Sequence, residues 1–152
     1  MNCACLSRMP VRVRFLFSGY MLLVLAACQS GDSPGLEQQQ TANMQLTKTL
    51  HKHLNDQNWQ AAGTLCADRI RYRDRTMLLA DVEESRAWLL DHYRHLRYAG
   101  VRRALEIRQL YPAGKYHVIV EGLARGDPPD TIQPVCLIYT IEHNHITRLY
   151  AY

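Results

Sequence analysis

Apolar positions along this chain change rhythm three times. Phe15 to Ala27 is a nearly unbroken apolar run, interrupted by Ser18, Gly19 and Tyr20. From Thr41 to Asp56, Leu46, Leu50 and Leu54 recur every fourth residue, which predicts a helix with one apolar stripe. Asn58 can cap a second, short helix carrying Trp59, Ala61, Ala62 and Leu65. Asp81-Val82-Glu83-Glu84 has the form of a capping box and predicts a third helix. That helix would align Val82, Ser85, Leu89, His92 and Leu96, with Trp88 beside them, and end at Gly100.

After Gly100 the period becomes two. Val101–Tyr111, Tyr116–Ala124, Ile132–Ile141 and His145–Tyr152 read as strands. Pro112-Ala113-Gly114, the 126–130 segment and His143-Asn144 mark the turns between them. Helices followed by a strand meander predict an α+β fold, with helices on one face of an antiparallel sheet. Pro134 predicts an edge or a bulge in its strand. Between the second and third helices, Arg69, Arg71, Arg73 and Arg75 alternate with Ile70, Tyr72, Asp74 and Thr76. Extended chain puts the arginines on one side and sets Asp74 beside an apolar and an aromatic residue.

The first apolar run has the layout of an export signal over residues 1–27. Arg8, Arg12 and Arg14 lead it, and Met9 offers an alternative start with a more typical leader. At 13 residues the run is shorter than the roughly 20 a membrane-spanning helix needs. It ends in Leu25-Ala26-Ala27-Cys28, the pattern of a lipobox. Small residues there suit a protease that cuts before Cys28, whose thiol then carries lipid. Two or more acyl chains give stable anchoring. Gln29 is not the aspartate that retains such proteins in the inner membrane, so the expected location is the outer membrane, facing the periplasm. The 28–40 segment, polar and with Gly, Pro and Ser, reads as a flexible tether, and 41–152 as one domain.

Removing residues 1–27 takes away three of the 18 Lys and Arg and none of the 14 acids, leaving 15 against 14, a net charge of +1. The basic balance belongs largely to the leader, so nucleic-acid binding is not expected. With Cys28 lipidated, Cys66 and Cys136 either pair or stay apart as buried thiols.

Asn58–Ala62 followed by Leu65–Asp74 resembles the second helix and hooked strand of the nuclear transport factor 2-like superfamily, which includes ketosteroid isomerases and SnoaL-like polyketide cyclases. Ile141 to Tyr152 looks like that superfamily's last hairpin, and the resemblance spans residues 44–152. It implies a cone-shaped curved sheet on three helices, an apolar pocket, and dimerisation through the sheet. It also places Asp74 where the isomerases keep their general base. The matching positions for their phenolic and protonated-aspartate oxyanion donors hold Leu50 and either Cys136 or Leu137, none of them a phenol or an acid. Oxyanion donors are commonly the largest single catalytic contribution, so isomerase chemistry by that route is not expected.

Asp74 reads either as a base raised by an apolar pocket or as a carboxylate paired with an arginine. The arginine row reads either as an anion site or as a solvated face. His92 and His95 share a helix face at i, i+3, but no third ligand sits at recognisable spacing, and neither His51 with His53 nor His143 with His145 supplies one. Tyr72, Trp88, Tyr93 and Tyr98 can line a pocket or simply fill a core. No Gly-rich phosphate loop, nucleophile elbow or HExxH motif is present, so no metal or cofactor is implied. The expected protein is therefore a lipid-anchored, non-catalytic binding protein: Cys28 for lipid, and either Tyr72, Trp88 and His92 for a small apolar ligand or the sheet for a protein partner. The alternative is a small hydrolase or isomerase with Asp74 as base.

Overall fold

The computed structural model describes residues 34–74, 81–102, 104–128 and 131–152. The leader, the lipobox with Cys28, the 29–33 stretch, and Arg75 and Thr76 lie outside the described residues. Helix α1 is Pro34–Asn55, so it begins earlier than the expected Thr41 and absorbs the end of the expected tether. Proline lacks the N–H that a first turn leaves unbonded, and Glu37 complements the positive helix start. The early turns are also tied down. Gln40 Nε2 donates to Gly114 O at 3.0 Å, and Asn43 Nδ2 to Lys115 O at 2.9 Å.

The face α1 buries is not the leucine stripe alone. Asn43, Thr47 and His51 are as buried as Leu50 and Leu54, while Leu46 is only partly covered. At the far end, Asn55 donates to Leu105 O and accepts from Leu105 N, at 2.9 and 3.0 Å. It thereby mimics a neighbouring strand. Helix α2, Trp59–Thr64, is capped as expected, by the Asn58 side chain accepting from Ala61 N.

The expected capping box at Asp81–Glu84 is overturned. Val82–Ser85 is strand β2, paired antiparallel with β1, Cys66–Asp74. Helix α3 starts at Arg86 and runs to Tyr98, with Ser85 as its N-cap, accepting from Trp88 N. The segment satisfies two patterns, and the unpaired edge of β1 selects strand because backbone donors there need partners. Val82 and Ser85 are accordingly not on the helix face. At its end, Gly100 takes φ +71, and a Cβ there would sit 2.9 Å from Asp127 Cβ, so only glycine fits.

Strands β3 (Ala104–Ala113), β4 (His117–Arg125), β5 (Ile132–Glu142) and β6 (His145–Ala151) match the alternating segments. His143 and Asn144 both take positive φ, as a two-residue hairpin turn requires. The sheet order is β2-β1-β6-β5-β4-β3. The sheet is mixed, not antiparallel throughout, because β1 and β6 run parallel. Register shifts between Ile107 and Gln109, and between Thr140 and Ile141, give bends of the kind that curve a sheet. Pro134 lies on an interior strand, but backbone pairing along β6 runs only to Cys136–Tyr152, so the start of β5 is locally an edge. Ile70, Val118, Val120, Leu137, Tyr139 and Ile146 fill the layer between sheet and helices, all fully buried. Cys66 and Cys136 are free thiols.

Candidate functional site

Alternation in β1 sends Ile70 and Tyr72 inward, 1% and 4% exposed, with half-buried Asp74 on the same side. Helix α3 lies against this strand and offers Trp88 and His92, one turn apart on one face. Their rings stack at 5.1 Å between centroids and 7° between planes. The Tyr72 ring meets both edge-on, at 5.3 and 5.2 Å. Its hydroxyl donates to Asp74 Oδ2 at 3.3 Å and lies 3.2 Å from His92 Nε2. Asp74 has further interactions beyond this one. The four residues singled out from sequence thus come together as three mutually packed aromatic rings, with one carboxylate hydrogen-bonded to the Tyr72 hydroxyl.

Electrostatics follow from partial burial. Desolvation pushes the Tyr72 phenol well above its ordinary range, and the Asp74 carboxylate adds to that. Burial lowers the His92 imidazole, while Asp74 pulls it back up and Arg102 pushes it further down. At neutral pH both groups are neutral, so the hydroxyl can bridge carboxylate and imidazole. The arrangement can bind a donor or a positive charge at Asp74, and can shuttle a proton along Asp74, Tyr72 and His92.

Other sequence candidates fall elsewhere. Arg69 and Arg71 project from the opposite face of β1, and Arg69 pairs with Glu83. His95 is exposed, its Nδ1 donating to Asp91 O at 2.9 Å. Among the described residues, no group of three or more His, Cys, Asp or Glu is placed to hold a metal ion. Tyr98 is 84% exposed, and Tyr93 is in the core. Leu50 and Leu137 are buried apolar side chains.

Sequence reasoning missed a second polar group. His51 Nε2 lies 2.9 Å from the Tyr139 hydroxyl, fully inside the domain, and Tyr139 also shares a hydrogen bond with Tyr93. Burial drives the His51 imidazole down to about 3, with Arg102 helping, so it is neutral. A cavity of about 20 Å³ beside it, lined by His51, Trp59, Tyr93 and Arg102 among others, has room for about one water. That is far smaller than the apolar pocket the resemblance implies. Tyr139 was visible in the alternation with Leu137 and Ile141. His51 was hidden, because its stripe partners Asn43 and Thr47 look like a solvent face.

No protein-family model matches the chain, and no curated protein is detectably similar to it in sequence. Solved structures do resemble it. A nuclear transport factor 2-like protein of unknown function from Cytophaga hutchinsonii superposes with a TM-score of 0.59 at 14% identity, over 72% of this chain and 88% of its own. A candidate ketosteroid isomerase from Kribbella flavida gives 0.62 at 17% identity, over 73% of this chain and 76% of its own. A protein of ketosteroid isomerase-like fold from Catenulispora acidiphila, in complex with trimethylamine, gives 0.55 at 19% identity, over 70% and 83%. At these identities what is shared is the fold: a curved mixed sheet packed on helices, of nuclear transport factor 2-like type.

Proposed function

We propose that this chain is a lipid-anchored envelope protein whose domain binds a small ligand at the Tyr72–Asp74–Trp88–His92 corner without transforming it. The observation that carries the reading is a cluster of three mutually packed aromatic rings whose Tyr72 hydroxyl is hydrogen-bonded to a half-buried carboxylate. Aromatic walls favour an apolar body, and a carboxylate at the rim favours a donor or a positive charge. A small alkylammonium combines both, and trimethylamine is what the Catenulispora acidiphila protein holds. The absence of donors at Leu50 and Leu137 weighs against oxyanion chemistry. The anchor rests on the Leu25–Cys28 lipobox, and the outer membrane on Gln29.

Trimethylammonium chloride, titrated against the protein and followed by calorimetry, tests the site. Trp88→Ala and Asp74→Asn are each expected to weaken binding tenfold or more; affinities unchanged by either would end the reading. Labelling with a fatty-acid probe tests the anchor, and a Cys28→Ser chain that still takes label would refute it.

A second reading is favoured by the Tyr72 hydroxyl lying between Asp74 and His92. It is a small hydrolase or isomerase with Asp74 as base. It would displace the first if a pH-dependent turnover were found that Asp74→Asn abolishes.

A further inference from the structure

The opposite face of the sheet carries a separate polar cleft of about 560 Å³, away from the aromatic corner. Its floor is unusual in charge. Arg71 on β1 and Arg148 on β6 are direct cross-strand partners in the parallel pair, so their side chains leave the same face side by side. Like charges so placed repel each other unless something negative lies between them. Among the described residues neither guanidinium forms an ion pair; Glu83, the β2 partner of Arg71, is ion-paired with Arg69 and feels Arg71 more weakly, while Arg148 is paired with no carboxylate.

Arg148 is also held in place. Its guanidinium lies 5.8 Å from the centre of the Tyr150 ring, and the Tyr150 hydroxyl donates to Asp81 Oδ2 at 2.7 Å. His117, exposed, and Thr140 also line the cleft, with His117 Nδ1 3.1 Å from Thr140 Oγ1. The carboxylates facing the cleft are Glu83, already paired, and Glu142 at its rim.

We propose that this cleft binds a phosphoryl group between Arg71 and Arg148. Two adjacent guanidiniums match a dianion better than a single carboxylate, because each fork can take two of the phosphoryl oxygens. The bound anion would also remove the repulsion built into the cross-strand pair. The ligand is either free phosphate or a small phosphate ester, or the same group on a lipid headgroup.

Inorganic phosphate titrated into the domain at low ionic strength, read by amide and arginine side-chain chemical shifts, gives the first arm. Vesicles of phosphatidylglycerol, at matched phosphorus and against phosphatidylcholine, give the second. Arg71→Gln and Arg148→Gln are each expected to raise the Kd for the binding source tenfold or more, while Arg108→Gln, an arginine outside this cleft, changes it less than twofold. Binding of free phosphate with that pattern assigns a soluble ligand, and binding only to the anionic vesicles with the same pattern assigns a headgroup. Arg148→Gln should retain or exceed the Tm of the unliganded protein, since it relieves the like-charge contact with Arg71. Failure to bind either probe, or binding that the two variants leave unchanged, would overturn the proposal.

Discussion

His51 sets the clearest consequence at the scale of a single residue. Buried against Tyr139, its imidazole stays neutral down to about pH 3, while in the unfolded chain it takes up a proton near 6.5. The unfolded state therefore binds more protons between those values, and stability falls as pH drops from 6.5 toward 3. His92, lowered less, adds in the same direction. The loss from His51 alone is expected to be about 2 kcal/mol between pH 7 and pH 5. That window lies above the range in which carboxylates protonate. Urea unfolding at the two pH values measures it, and His51→Gln should flatten the slope. Tyr139→Phe leaves the His51 nitrogen without its partner and is expected to cost about 1–3 kcal/mol at pH 7, where the slope itself contributes little.

Among elements, the junction of β2 and α3 is where two local signals compete. Ser85 is extended, with ψ 153, and its side chain accepts from Trp88 N, so Ser85→Ala is expected to cost about 1 kcal/mol. Glu84→Ala should cost little, because Glu84 lies on the strand side of the junction; thermal unfolding of the two variants separates them. The strands after Gly100 were legible because period two, turn residues and branched side chains all agreed. So was the Asn58 cap; alternation puts Tyr72 and Asp74 on one side of β1, and one helical turn puts Trp88 beside His92, but their meeting depends on α3 packing against β1, which local pattern does not give. The β2 strand was not legible: four residues carry too little pattern, and pairing with a distant edge decides them. Nor was the start of α1, where contacts to Gly114 and Lys115, more than 70 positions away, hold polar turns that read as tether.

For the whole molecule, the deciding feature is the pairing of β1 with β6. A run of alternating residues specifies a strand but not its neighbour, so the mixed sheet could not be read from local pattern. In the order β2-β1-β6-β5-β4-β3, the last strand is the sole bridge between the first two and the other three. A chain ending at Asn144 is expected to lose cooperative unfolding altogether, measured by circular dichroism against urea. The same topology governs biogenesis. A polypeptide emerging from the ribosome amino end first holds two disjoint fragments of sheet, each with an open edge, until residues 145–151 are free. The sheet closes only when β6 is out, and until then the chain depends on whatever shields those edges from other chains.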